Sequence, residues 1–596
     1  MKKIIKFLKE IKFPNKKNLK TGYQALTIKE ASLLSITTIV ALVCVIIILG
    51  KLNDKFINEI PISGGSVTEG ILGMPTLVNP VLALSDADKD LTNLVFSGLM
   101  RHMPDGSFAP DLAESYEVSP DGTKYTFILR DDIQFHDGKK MTIDDVIFTL
   151  EKIKDPLIKS PKRVQWEGVE VQGEIPNKII FTLKKPYASF MDNATLGILS
   201  MNLWKNISPS EFNLSNLNIK AIGTGPYMID SVSRNDENIP IKYNLKRNKK
   251  FLLSNPYIKE IIIKSYSNEK ELVQALKNGS IDQAGGISPN NAKNLESRTM
   301  DIETMVLPRM FGLFFNSNTN KILSDKSVRS AIDKAINREK IINDTLLGYG
   351  IAIDSPVPKN ITNYSSISGE KPKTDLDKAY EILKNSGWVK NESGLLEKSS
   401  TKTTTTVVKG KKVTKTTKGD STNIHFSITT GDAPELVAVA TEIKKQLEDF
   451  GMIVDLKIYE TGQLNQVIRS PEYEILFFGQ VVNHESDLFA FWHSSQKSDP
   501  GLNIALYGNE KADMILNIAQ SIISTEDRSQ KYIQFENIWK EDIGGVFIYS
   551  PEYIYVLNKK INIPKNYHLT NPSGRFDSVY TWYTNTDKVW KIFTNN

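Results

Sequence analysis

A mixed α/β protein carried behind one membrane-spanning helix is the fold class this sequence predicts, and three observations predict it. Residues 31–50 form an uninterrupted uncharged run of twenty, about the ~20 residues a helix needs to cross a ~30 Å hydrocarbon layer. Beyond it, stretches of period-two and period-3.6 hydrophobicity alternate with no internal repeat, the pattern of strands interleaved with helices. Cys44 is the only cysteine in 596 residues, which excludes intrachain disulfides and cysteine-based zinc sites and leaves the core to stabilise the fold.

Charge sets the orientation of the anchor. The chain holds 74 Lys plus Arg against 69 Asp plus Glu with 40% hydrophobic residues, a globular profile. Residues 1–30 contain nine lysines against Glu10 and Glu30, a charge of +7 that leaves the remainder at −2 of the overall +5. Nucleic-acid binding therefore has no compositional support. The lysine-rich flank places the N-terminus in the cytoplasm and the body of the protein outside. No A-x-A-like site follows Gly50, and the run exceeds the roughly 7–15 apolar residues of a cleaved signal, so an uncleaved anchor is expected. Cys44, between Val43 and Val45, belongs to helix packing. The expected order is a basic cytoplasmic tail over 1–30, the span over 31–50 and a polar tether over 51–65.

Local patterns then place the elements. Residues 115–130 form a hairpin turning at Ser119-Pro-Asp-Gly122, with Tyr125, Phe127 and Leu129 on one buried face. Thr142 and Asp145 make a capping box ahead of Val146, Leu150 and Ile153, and Pro156 ends that helix. A second hairpin is expected over 169–171 and 179–183. Val328, Ala331, Ile332, Ala335 and Ile336 share a helical face, opened by Ser324 or Asp325 and closed near Gly348. Another helix runs from Thr374 to Gly387. A strand from Ile424, a helix with Leu436, Ala440, Ile443 and Leu447 stopped by Gly451, and a strand from Ile453 form a parallel strand–helix–strand unit with a right-handed crossover. Residues 398–422, nearly all Thr, Lys, Ser and Gly, offer little to bury and read as a surface hairpin turning near Lys409-Gly-Lys411.

Catalytic signatures are absent: the six histidines form no H-E-x-x-H pair, and no G-x-S-x-G occurs. His484, Glu485, Asp487 and His493 together are the best metal candidate, but polar lining of a cleft is the reading preferred. Two aromatic-rich stretches, 311–316 and 477–493, suit a ligand cleft, although alternate residues of a strand face the core.

Several motifs in order resemble the solute-binding proteins of family 5, the oligopeptide, dipeptide and nickel receptors of ABC importers. They are Leu94-Val-Phe-Ser-Gly-Leu-Met100, Pro110-Asp-Leu-Ala-Glu-Ser-Tyr116, Phe135-His-Asp-Gly-Lys139, Gly223-Thr-Gly-Pro-Tyr227, the helix 328–340, the loop Ser355-Pro-Val-Pro358 and Phe491-Trp-His-Ser-Ser-Gln496. The resemblance spans about residues 70–557. It implies a type II periplasmic-binding-protein fold of two lobes with an extra domain in the N-terminal half, no catalysis and no cofactor. Lobe I is expected over 66–100, 220–305 and 545–596, the extra domain over 101–219, and lobe II over 306–544.

The resemblance further implies an extracytoplasmic, monomeric receptor that passes oligopeptides to membrane permease subunits driven by a cytoplasmic ATPase. Peptides would lie between the lobes as an added strand. The hinge is expected near residues 223–227 and after Gly544-Gly545. The cleft residues expected are Thr76, Asn79, Phe311, Phe478, Gln480, Asn483, Asp487, Trp492 and His493. This sequence departs from the family where Val482 stands in place of the aspartate that meets a peptide's α-amine, with Glu485 or Asp487 as substitutes from shifted positions. An oligosaccharide or metal-chelate ligand, or a sensor or surface scaffold without transport, is the alternative.

Overall fold

The uncharged run and the residues on either side of it fold as one helix, α1 (Ile28–Phe56), opened by a capping box in which Thr27 donates its backbone N–H to Glu30 Oε2 at 2.9 Å. The computed structural model describes residues 20–21, 25–187, 190–358, 372–408, 411–482, 487–499, 501–522, 524–565 and 569–590. Two compact units separate, Met1–Ile62 with Asn585–Asn596, and Ser63–Thr584. In the first, the apolar side chains of α1 stand bare, Leu33 at 65% and Ile46 at 66% exposure. The helix passes directly into β1 (Ile57–Ile62), which pairs antiparallel with the strand Asn585–Trp590. The expected polar tether over 51–65 is therefore ordered structure. Its partner lies more than 500 residues away in sequence, so no local pattern reveals it.

The unit Ser63–Thr584 begins with β2 (Ser66–Leu72) and α2 (Asp86–Val95), whose N-cap Ser85 accepts the backbone N–H of Asp88. The first hairpin is β3 (Ala113–Val118) and β4 (Lys124–Leu129), with Gly122 in the left-handed region at φ +65° where the turn needs it. Tyr125, Phe127 and Leu129 are buried as the alternation requires. Thr142 caps α3 (Ile143–Lys154) through Asp145 Oδ2 at 2.8 Å. The second hairpin, β5 (Val169–Glu174) and β6 (Lys178–Leu183), completes a four-stranded sheet in the order β3-β4-β6-β5.

The chain then builds β7 (Tyr227–Arg234), β8 (Pro240–Arg247), β9 (Glu260–Tyr266), β10 (Gln283–Gly285), β11 (Met300–Val306) and β12 (Arg309–Phe315). The next helix, α4 (Lys326–Ala335), is capped by Asp325 and ends earlier than Gly348, because Asn337 accepts the N–H of Lys340 and starts a new turn. After α5 (Leu376–Asn385) the Thr/Lys-rich segment forms the antiparallel pair β13 (Leu396–Val408) and β14 (Lys411–Asn423); its expected turn at 409–410 lies outside the described residues. The unit β15 (His425–Gly431), α6 (Pro434–Phe450), β16 (Ile453–Tyr459) has parallel strands, and Gly451 ends the helix at φ +113°. There follow β17 (Ile475–Val481), α7 (Asp487–Trp492) and β18 (Gly545–Asn558). One sheet runs β16-β15-β17-β12-β18-β10-β2-β9-β8-β7, with β11 also on β18.

Core packing changes where the chain crosses this sheet. Leu307 and Tyr555 belong to the core built on β2, α2 and β4, and Ile554 to a smaller core beside it. Met310, Leu313, Phe547 and Tyr549 belong to cores built on α4, α6 and the segment after β17. Two backbone segments, Leu307–Met310 and Tyr549–Tyr553 in number, thus join the bodies of packing. They are tied where they cross by Ser550 Oγ donating to Leu307 O at 3.2 Å. Gly223 and Gly225, expected at the hinge, instead let two backbones meet: a Cβ there would lie 2.2 Å from Val95 O and 2.5 Å from Val95 C. His136 locks that loop, its Nε2 3.0 Å from Gly225 O, and burial lowers its pKa to about 4.

One ionic cluster is sealed in the first core. Arg575 donates to Glu69 Oε1 at 2.9 Å and to Asp90 Oδ1 and Oδ2 at 2.9 and 2.7 Å, and Tyr555 donates to Glu69 Oε2 at 2.7 Å. It stitches β2, α2, β18 and the short helix Pro572–Phe576 together.

Candidate functional site

The loop after β2 is shaped from beneath by α2. Asp88 Oδ1 accepts the backbone N–H groups of both Thr76 and Leu77 at 2.8 Å, and Asn79 Oδ1 accepts that of Val81 at 2.9 Å. Pro80, Ala83 and Leu84 are thereby presented to a cavity of 330 Å³. Across it, the segments around Gly98 and Gly197 approach so closely that a Cβ on Gly98 would lie 2.4 Å from the Thr195 backbone and one on Gly197 2.6 Å from Phe96 Cβ. Only glycine permits this crossing.

Polar groups dominate the cavity wall. Arg101 is neutralised by Asp111, with Nη2 to Oδ2 at 2.6 Å, and donates Nη1 to Asp577 O at 2.8 Å. His102 lies 3.5 Å from Asp192. Asp577, its Oδ1 accepting from Asn93 Nδ2 at 3.2 Å, has a carboxyl pushed up to about 7 by burial, against the pull of Arg101 and with the push of Asp111. Two lysines remain. Lys89 has only Asp86 nearby, at 4.0 Å. Lys162 has no carboxylate partner among the described residues, and its ammonium is held below the usual lysine range by burial and then by Lys89. The two ammonium groups, with the amides of Asn93, Gln165 and Asn193 on the same wall, offer donors suited to an anionic group.

A second surface lies at the strand crossing. Phe311 of β12 stacks on Tyr549 of β18 with ring centroids 4.9 Å apart and 6° between planes. Gly479 makes room for it, since a Cβ there would stand 2.5 Å from Phe311 Cε1. On the opposite face of the sheet Phe478 is partly buried and Gln480 is buried, with Nε2 donating weakly to Leu502 O at 3.5 Å and Oε1 without a partner among the described residues. Glu435, at the start of α6, has its carboxyl raised by burial and then by Glu269 of the first body, and the Tyr549 phenol is raised by burial and then by the charge of Glu435. Replacing Phe311 with leucine should remove the stacking and lower stability by about 1 kcal/mol, read as a shift of the urea midpoint at unchanged slope.

The nine residues expected in the cleft are not brought together. Phe311 lies at the strand crossing, but because it pairs with Gly479 it faces one side of the sheet while Phe478 and Gln480 face the other. Thr76 and Asn79 lie in the loop that shapes the cavity, but Asn79 has no accessible surface, its Nδ2 donating to Asn218 Oδ1 at 2.9 Å. Trp492 is likewise fully buried against Trp539 at 4.6 Å, its indole donating to Pro356 O at 3.2 Å. The helical turn of α7 directs it inward, which an alternating pattern in an aromatic-rich stretch does not reveal. His493 is held by Ser495 at 2.8 Å and Asn517 at 3.0 Å, and caps a helical turn. Asn483 lies outside the described residues, as do His484 and Glu485; Asp487 begins α7. Val482 is buried and donates its N–H to Pro308 O at 2.8 Å. Among the described residues no cluster of three or more metal-ligating side chains occurs. Sequence reading missed Lys89, Lys162, Asp577 and Glu435, none of which belongs to a local motif.

Two bodies of packing joined by crossing strands, with a polar cavity and an aromatic surface, define a binding protein of the type II periplasmic class, as solved structures bear out. That of NikZ from Campylobacter jejuni in complex with Ni(L-His) is 27% identical with a TM-score of 0.64, covering 87% of this chain and 99% of that one. That of the oligopeptide-binding protein AppA from Bacillus subtilis in complex with a nonapeptide is 25% identical with a TM-score of 0.63, covering 88% and 100%. The chain belongs to the bacterial extracellular solute-binding proteins, family 5, whose middle-region model matches residues 107–501. By sequence it is 26% identical to Bacillus subtilis AppA over 518 residues, 85% of this chain and 89% of that protein.

Proposed function

We propose that the protein is the peptide-capturing receptor of an ABC importer, tethered to the outer face of the cell membrane by α1 and acting as a monomer without chemistry of its own. The observation that carries the ligand reading is the pair of cations on the wall of the 330 Å³ cavity, Lys89, with only Asp86 at 4.0 Å, and Lys162, with no carboxylate partner among the described residues, which suit a peptide's carboxylate. Oligopeptide-binding and nonapeptide-bound relatives support the same class. The two bodies act as lobes, with boundaries near residues 306 and 545 and the extra domain over 101–219, and they close by bending where Leu307 meets Ser550. Ligand shifts this equilibrium by binding the closed form more tightly than the open one. Since Val482 lacks the carboxylate that meets an amine in the family, Glu435 with Glu269 supplies negative charge for a peptide's amino end, and a cation there relieves their mutual repulsion. The closed form then docks on permease subunits.

Native mass spectrometry of the full chain, released gently in detergent, tests this. Co-purified peptides of mixed sequence are the expected result. A single glycan mass or a nickel chelate in their place overturns the peptide reading, and an empty protein that does not contract when offered peptides favours a non-transport scaffold.

A further inference from the structure

The carboxyl-terminal strand returns to the end of the anchor. In the ribbon with β1, Asn585 pairs with Ile62 and Trp590 pairs with Ile57, the residue immediately after α1 ends at Phe56. Because the pairing is antiparallel, the chain at Trp590 is heading back toward the helix. At 1.5 Å per residue, the six helical residues after Gly50 carry Ile57 about 9 Å beyond the apolar run, near the outer edge of a headgroup layer roughly 5–7 Å deep. Paired residues of an antiparallel ribbon lie roughly 5 Å apart, so Trp590 shares that height. Its side chain is 50% exposed and that of Phe56 49%, and among the described residues neither belongs to a buried core. The sequence continues Lys591-Ile592-Phe593, Lys588 stands two residues before Trp590 on the strand, and Lys51 follows the apolar run on the helix. An exposed tryptophan with neighbouring cations at this height has the composition of a bilayer interface.

We propose that Trp590 seats in the lipid–water interface beside the anchor, so that both strands of the ribbon are held at the membrane and the ribbon, rather than a loose tether, rises from it. This rests on the reading that Ile28–Lys51 spans the bilayer. The test uses the full chain in phosphatidylcholine–phosphatidylglycerol vesicles, with an environment-sensitive fluorophore on native Cys44 or, in a Cys44→Ser background, on Trp590→Cys or Asn585→Cys. The label at 590 should be quenched by headgroup-nitroxide lipid and shielded from aqueous iodide, whereas the label at 585, five strand residues or about 17 Å further out, should be open to iodide. If iodide reaches 590 as freely as 585 while acyl-chain nitroxide quenches the Cys44 label, the interface contact is overturned and the span stands. Iodide access to Cys44 overturns both. A second measurement keeps the indole: brominated phosphatidylcholine should quench a component of the intrinsic fluorescence that Trp590→Phe lacks, and equal fractional quenching in the two proteins overturns the contact.

Discussion

Arg575→Leu should lower the stability of the body built on β2 and α2 by about 3–5 kcal/mol, the largest effect expected of any single substitution outside the hydrophobic core. The guanidinium is 2% exposed and is the cation that Glu69 and Asp90 share, from opposite sides of the core. Removing it leaves two carboxylates without water or a partner, and Tyr555 satisfies only one oxygen of one of them. Thermal unfolding of the full chain in detergent reads the loss. Its pH dependence identifies the cause. Burial already raises the Glu69 carboxyl against the pull of Arg575, and without the cation it stands further above its unfolded value, so the folded variant binds more protons than the unfolded chain between the two values. Its stability therefore falls as pH rises and partly recovers in acid. Adding Glu69→Gln and Asp90→Asn to Arg575→Leu should restore much of the melting temperature, because no uncompensated charge is then buried. If the triple variant melts no higher than the single one, the guanidinium's packing over Phe576, 4.2 Å from the ring centroid, is the larger contribution.

This cluster also marks the limit of what was legible in the sequence. Thr142 with Asp145, the turn at Gly122 and the stop at Gly451 are readable because each device is completed within a few residues. The parallel unit β15–α6–β16 is readable because helix and strand periods alternate over a short stretch. Arg575 and Glu69 are separated by more than 500 residues, as are β1 and the strand Asn585–Trp590, and neither partner carries a local signature of the other. The cavity was invisible for the same reason: Lys89 on α2 and Lys162 in a distant loop look like ordinary surface lysines until the crossing at Gly98 and Gly197 folds their segments together. In the aromatic stretch 477–493, expected to line a cleft, Phe478 follows the strand period while Trp492 follows the helical turn of α7 into the core. Family resemblance supplied the fold, and only geometry separated wall from filling.

The largest effect on ligand binding is expected at the lysine pair. A charge-assisted hydrogen bond to a carboxylate contributes about 2 kcal/mol, so Lys89→Met or Lys162→Met should each weaken binding of trialanine roughly 30-fold. The two losses should not add, because the cations share one cavity. Trialanine amide supplies the control: the wild-type protein should prefer the free acid by a similar factor, and the double variant should lose that preference. Equal weakening of acid and amide would assign the lysines a structural part instead. Unliganded stability should move the other way. Burial and Lys89 press the Lys162 ammonium toward its neutral form, so Lys162→Met relieves a strain that the empty cavity carries, and its melting temperature should rise while its stabilisation by trialanine shrinks. Asp577 adds a pH signature. Its carboxyl, raised to about 7 by burial, faces Arg101, Asp111 and Asn93, and its protonation below that pH removes a negative charge from the wall. Affinity for trialanine should therefore tighten as pH falls from 8 to 6, and Asp577→Asn should flatten that dependence while leaving the preference for acid over amide intact.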